Sequence, residues 1–463
     1  MCIRDRKKEY NLLEGSINKI LITMSMPLMG TAFVQIAYQL VDLIWLGKLS
    51  TEAVAAVGTV GFFIWIAQGL CLIGKTGVGV GLSQAYGKND QNMLKEVMRA
   101  GAIVNFTICA LLIFIYLTFM DGILGFFRLE EEVFFMAKSY FKIVGLGLVF
   151  TFLNPILSMT FLSRGNSVTP FKIAIIALFT NIILDPLLIF GFWIFPNMGI
   201  RGAALATVIA QGVQTLLSII TGIKSKELFV RVNYFKEVKF KSIKGILNLG
   251  VPTSIQALIH AFVGLVLNKY TASFGSVAIA VYSIGSQIES ISWMSAEGFS
   301  SAFTTFFGQN YGAKKFERIE EARKAGMRII NSIGLFATIF LMVFSKQLFK
   351  IFVPEDQKLI EWGAYYLLII GPSEIFMTME IGTTGMLNGL GLTRFPAYNG
   401  LILNILRIPF AKIFMPIFAV NGIWMAMSLS SILKGSIMTI GYKYLCKKTD
   451  GFRNNMEKYV SKH

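Results

Sequence analysis

Residues 83–101, SQAYGKNDQNMLKEVMRAG, return 225 positions later as residues 308–326, GQNYGAKKFERIEEARKAG. The ungapped superposition places Gln84 on Gln309, Tyr86 on Tyr311, Gly87 on Gly312, Glu96 on Glu321 and Gly101 on Gly326, and the same shift carries Pro27 onto Pro252. A second block follows at a shift of 223: Asn181 falls on Asn404, Pro186 on Pro409, and GIRGAALAT (199–207) on GIWMAMSLS (422–430). Two aligned blocks in the same order, one early and one late in each half, imply a duplicated chain. The long basic stretch KSKELFVRVNYFKEVKFKSIK, residues 224–244, lies between the copies.

Each copy is largely apolar. Of 463 residues, 54% are hydrophobic and 15% charged, mean hydropathy is +0.63, and the apolar residues fall in recurrent runs of about twenty or more, the length that crosses a bilayer core. Twelve such spans are read at 18–46, 53–84, 101–120, 136–161, 169–194, 202–222, 244–268, 277–307, 327–345, 361–388, 396–417 and 422–442. Helices are implied, because the strands of a membrane barrel are shorter and alternate in polarity. The first span is too long for the apolar region of a signal peptide and is expected to remain as a helix.

The fold expected is an all-α membrane protein of twelve transmembrane helices in two six-helix lobes. The division is a cytoplasmic N-terminal segment 1–17, a first lobe 18–222, a cytoplasmic linker 223–243, a second lobe 244–442 and a cytoplasmic tail 443–463. Six is even, so both copies enter from the same side and are related by a pseudo-twofold axis along the membrane normal. Such a bundle has a cavity between its lobes and a rocking motion, the common basis of alternating access. Lys and Arg outside the spans concentrate on the side of the two termini, which the positive-inside rule assigns to the cytoplasm of a cell membrane. The net charge of +17 follows from that asymmetry and suits anionic headgroups, so no nucleic acid is expected as a partner.

Other chemistries find little support. GLCLIGKT (69–76) satisfies the phosphate-loop pattern G-x-x-x-x-G-K-[ST], whose mechanism needs a strand before the loop and a helix after it. It lies inside the second span, and its repeat counterpart MSAEGFSS (294–301) has neither the lysine nor the glycine spacing. No nucleotide is expected. Four cysteines (Cys2, Cys71, Cys109, Cys446) show no CxxC spacing and read as inert thiols. With two histidines, His260 and His463, no HExxH and no GxSxG, no catalytic residues and no enzyme activity are expected.

Charged side chains at membrane depth are costly and by default mark an ion or substrate pathway. The acids there are Asp42 in AYQLVDLIWLG, Asp185 in TNIILDPLLIF, Glu289, Glu297, Glu374 and Glu380; the bases are Lys75, Arg407 and Lys434. Asn181 lies four residues before Asp185, one helical turn away on the same face, where an amide and a carboxylate converge on one ion or proton. Pro186 follows directly, and Pro27 in the first span offers a hinge. Lys75 must pair with an acid or face the cavity.

The pattern Y-x-x-x-D-x-x-x-x-G (Tyr38, Asp42, Gly47), GLSQAYGKND after the second span, NIILDP in the fifth, GIRGAALAT opening the sixth and GQNYGAKK after the eighth together resemble the multidrug and toxic compound extrusion (MATE) family, over essentially the whole chain. The resemblance implies a secondary antiporter, prokaryotic in type, that expels organic, often cationic compounds while Na⁺ or H⁺ runs inward. It implies a coupling site at Asp42, Asn181, Asp185 and Thr207, where Na⁺ is the one metal to be considered, and Gln35 and Tyr38 on the cavity side of the first span. Asn154, Lys75 and Gln256 are added as cavity candidates. Beyond the coupling ion no cofactor is implied; the partners are small organic molecules and the bilayer, and the chain is expected to be a monomer. One branch of the family uses a Glu of the seventh span and an Asp of the tenth; here Gln256 and Met377 stand at those positions. The alternatives are a lipid-linked oligosaccharide flippase of similar architecture and, from another class, a channel, for which no filter repeat is visible.

Overall fold

The structure, a computed structural model, describes residues 10–191 and 195–447, the side chains of Gln39, Cys446 and Lys447 excepted. Readings on 1–9, 192–194 and 448–463, among them Cys2, His463, the end of the fifth span and most of the tail, lie outside the described residues. Every regular element among the described residues is helical. The first lobe holds α1 (Ile17–Leu49), α2 (Thr51–Lys88), α3 (Gln91–Thr118), the short α4 (Met120–Gly125), α5 (Glu131–Ser163), α6 (Val168–Phe190) and α7 (Ile200–Ser225). A single turn, α8 (Leu228–Arg231), sits in the basic connection. The second lobe holds α9 (Phe240–Ala272), α10 (Ser276–Gly312), α11 (Phe316–Val343), α12 (Ser345–Phe352), α13 (Gln357–Ile370), α14 (Glu374–Gly389), α15 (Arg394–Phe418) and α16 (Val420–Lys447).

Ten of these helices are long and apolar enough to cross a bilayer by themselves; α10 and the α13–α14 pair complete the twelve. The tenth span, expected as one helix over 361–388, is broken by a 3₁₀ turn at Gly371–Ser373. Pro372 brings no backbone N–H and clashes with the preceding turn, and Gly371 lowers the cost of the bend. Outward-facing side chains such as Phe114, Phe179, Phe336 and Ile413 are more than half exposed, the surface that lipid chains cover.

The repeated motif builds the same corner twice. Asn89 ends α2 in the left-handed region at φ 54°, and the Asp90 side chain then caps α3 by accepting from Asn92 and Met93 N–H at 3.0 and 2.9 Å. In the second lobe Lys314, 225 positions on, takes φ 58° between α10 and α11. Packing repeats as well: α2 lies on α5, α5 on α7, α6 on α7 and α1 on α6, matched by α10 on α14, α14 on α16, α15 on α16 and α9 on α15. Across the pseudo-twofold axis α1 packs on α10 and α9 on α2.

Among the described residues, the lobes share a core at one end only. At the end carrying the basic connections, Leu21 and Met24 of α1 pack with Phe303, Phe307 and Met386 of the second lobe, while Ile246 of α9 packs with Val78, Met98 and Ile156 of the first. Towards the opposite end each lobe keeps its own core, one around Phe141 and Phe152 and one around Tyr366 and Trp424.

Reciprocal contacts close the basic end. Gln84 Nε2 donates to the Gly389 carbonyl at 3.0 Å, and its repeat mate Gln309 Nε2 donates to the Ser163 carbonyl at 2.6 Å. A Cβ at Gly87 would overlap the backbone oxygen of Gln309, and one at Gly312 that of Gln84. Glycine is required at both positions because two helix backbones touch there. The segment before α1 lies across this closure: Arg318 donates to the carbonyls of Leu12, Glu14 and Gly15, and Lys315 Nζ to that of Leu13.

Candidate functional site

The apolar helix α6 carries Asn181 and Asp185 on one face, where both side chains are fully buried and Asn181 Nδ2 donates to Asp185 Oδ1 at 3.2 Å. From α1, Asp42 faces the same pair. From α7, the Thr207 hydroxyl donates to Asp42 Oδ2 at 3.4 Å and to the Ala203 carbonyl at 3.0 Å. The Tyr38 hydroxyl, one turn before Asp42, donates to the Thr207 backbone carbonyl at 3.3 Å and ties α1 to α7. The structure thus brings Asp42, Asn181, Asp185, Thr207 and Tyr38 together from three helices.

Three oxygens of this cluster, Asp42 Oδ1, Asn181 Oδ1 and Asp185 Oδ2, are buried with no hydrogen-bond partner. Two carboxylates face to face in a site of low dielectric cannot both stay ionised cheaply; a cation between them or a proton on one relieves the repulsion. Hard oxygen donors, two of them carboxylate, suit Na⁺ and H⁺ alike. Tyr140 of α5, itself buried, stands beside both carboxyl groups; sequence reasoning missed it, and no motif surrounds it.

The other candidates fall elsewhere. Gln35 is exposed on α1. Asn154, a cavity candidate, is buried between α5 and α7: its amide donates to the Gln211 carbonyl at 3.1 Å and its oxygen accepts from Thr215 at 2.7 Å. Gln256 lies against Gly400 of α15. Lys75 is half-buried on α2, within Coulomb reach of Glu297 of α10 in the opposite lobe. The phosphate-loop look-alike is continuous α-helix, so its N–H groups are committed to helical bonds. Pro27 sits within an unbroken α1; Ser25 and Thr31 donate to the Leu21 and Pro27 carbonyls on either side of it, bonds that favour bending.

The second lobe handles the same depth differently. Arg407, buried on α15, donates through Nε to Ser430 at 3.2 Å and through Nη2 to Ser431 at 3.1 Å. Lys434 Nζ pairs with Glu380 Oε2 at 2.9 Å, and Tyr366 donates to Glu289 Oε2 at 3.1 Å.

The family model MatE matches residues 27–187 and 252–413, one segment in each lobe. A Thermotoga maritima protein described as probable multidrug resistance protein NorM is 28% identical over 426 residues, covering 91% of each chain. The Bacillus subtilis probable multidrug resistance protein YpnP is 26% identical over 452 residues, 94% of this chain and 97% of that one. Among solved structures, the outward-facing conformation of a multidrug resistance MATE family transporter of the MOP superfamily superposes with a TM-score of 0.85 at 21% identity, covering 93% and 96% of the two chains. With the duplicated six-helix lobes and a family match in each of them, the chain belongs to the multidrug and toxic compound extrusion family of membrane transporters.

Proposed function

We propose that the chain is a secondary antiporter that exports organic, cationic drug-like compounds in exchange for inward H⁺ or Na⁺, as a monomer in the cytoplasmic membrane with both termini inside. The observation that supports it most is the set of buried, unpartnered oxygens of Asp42, Asn181 and Asp185. Acceptors left this way are costly unless a cation or proton occupies them.

With the basic end inside, the reciprocal Gln84 and Gln309 contacts close the cytoplasmic face. Asp42 rides on α1, the helix that contains Pro27 and packs on both α6 and α10. An ion entering from outside draws Asp42 towards Asp185 and Asn181, α1 bends at Pro27, and the cavity wall that includes Tyr38 moves inward and displaces the substrate. Lys75 is no obstacle to a cationic substrate, because the Glu297 carboxylate stands opposite it across the lobes.

The test is efflux of a cationic dye from proteoliposomes under an imposed Na⁺ gradient and, separately, an imposed pH gradient. Asp42→Asn and Asp185→Asn are each expected to weaken ion-driven efflux by roughly 5- to 150-fold, the usual span of a coupling free energy. Wild-type efflux from both variants would falsify the coupling assignment. Lys75→Ala and Glu297→Gln, assayed with cationic and anionic dyes, test the substrate charge: Glu297→Gln should penalise the cationic dye selectively.

A further inference from the structure

We infer that Glu374 is a second proton-binding group, placed in the second lobe and separate from the aspartate pair, with Glu289 as the carboxylate through which its proton exchanges.

Four interior charges of this lobe balance, and a fifth, Glu297, faces Lys75 of the first lobe. Arg407 and Lys434 both have Glu380 and Glu289 as their carboxylate neighbours, so two cations meet two anions. Glu374 is surplus to that balance. It opens α14 just after the 3₁₀ turn, its side chain is fully buried, and neither carboxylate oxygen has a hydrogen-bond partner.

Among the described residues, its surroundings offer no cation. From α10 come Glu289, a like charge, and Ser292, one turn further along, whose buried hydroxyl is the one donor facing Glu374 among the described residues. From α13 comes Tyr366, whose hydroxyl is already donated to Glu289. Lys434 of α16 is held by Glu380, six residues or about 9 Å of helix further along α14. Among the described residues, the remaining helices packed on α14, α2 and α11, place no charged group beside it.

An ionised carboxylate buried next to a like charge, with no cation and a single serine hydroxyl beside it, is among the costliest arrangements in a protein. A proton on Glu374 removes the charge. The half-buried Glu289, held as an acceptor by Tyr366, then serves as the exit: the O–H bond on Glu374 breaks as one forms on Glu289, and the total charge is unchanged.

Infrared difference spectroscopy on the purified full chain tests this, with glutamate carbon-13-labelled so that glutamate and aspartate bands separate. At neutral pH the wild type should show a neutral carboxylic-acid C=O band that moves on glutamate labelling and shifts in D₂O. Glu374→Gln should abolish the band, Asp185→Asn should leave it, and Glu289→Gln should keep it while slowing the D₂O shift. A wild type with no labelled acid band at neutral pH overturns the proposal, whichever variants fold, and so does a band that survives in Glu374→Gln. Because the readout is a glutamate band, it stands or falls independently of the aspartate site.

Discussion

The basic end of the molecule and its mid-membrane layer have treated the duplication in opposite ways. At the basic end the two copies still do the same thing to each other, with Gln84 and Gly87 meeting Gly389 and Gln309 while Gln309 and Gly312 meet Ser163 and Gln84. At mid-membrane they have diverged in sign. Thr207 of the first lobe donates to the Asp42 carboxylate, whereas Ser430, at the repeat-equivalent position, accepts from the Arg407 guanidinium. Closure needs matched surfaces on both lobes. On the proposed function the first-lobe carboxylates take a cation that comes and goes, whereas the second lobe carries the cationic side chains of Arg407 and Lys434 in the equivalent layer.

The largest expected effect separates a fixed cation from an exchangeable one. Lys434→Met removes the ion pair of the buried Glu380, leaving it only the more distant Arg407, and should cost about 3–5 kcal/mol, read as a drop in thermal unfolding temperature in detergent, with Lys434→Met/Glu380→Met recovering most of it. Asp185→Asn should stay within about 1 kcal/mol of wild type in the same assay, since on the proposed function its partner is a mobile ion. Equal losses would break the contrast.

A smaller effect compares the two hydroxyls. Each bonds to a charged group, a contact of about 1.5–3 kcal/mol at most. Thr207→Val should raise the ion concentration needed for half-maximal efflux, whereas Ser430→Ala should lower thermal stability and leave that concentration unchanged.

At the basic end the prediction is equality. Gly87→Ala and Gly312→Ala each force a methyl against a backbone oxygen, an overpacking cost of about 1–3 kcal/mol. Spin-label distances between the ends of α2 and α10 should report the same shift towards the open form in both. Gln84→Leu and Gln309→Leu should give the same shift on a smaller scale, about 0.5–1.5 kcal/mol each. A large difference between the members of either pair would show that the two copies do not share closure evenly.

The architecture was readable because its signals are local or periodic: apolar runs long enough to span a bilayer, and two motif blocks at fixed shifts. The aspartate site was readable because Asn181 and Asp185 sit one turn apart and the rest came with the family pattern. What escaped is non-local. Asn154 reads the same from sequence whether it faces a cavity or a neighbouring helix, and its partners Gln211 and Thr215 lie on α7. Arg407 is adjacent to the residue equivalent to Asp185, so no alignment column announces that it reaches Ser430. The break in the tenth span was no clearer, because Pro27, Pro155, Pro186 and Pro409 all lie within continuous helices.

The closure of the basic end also has a bearing on ancestry. A contact in which one surface meets a second, and the second copy returns the same contact, is the geometry of an isologous homodimer. A six-helix unit with one glutamine, one glycine and one free carbonyl at its end is self-complementary, so the gate did not have to await fusion of the two copies. The stretch 224–244 then serves as a tether that raises effective concentration and supplies none of these gate contacts. Two halves expressed as separate chains carry everything the gate requires.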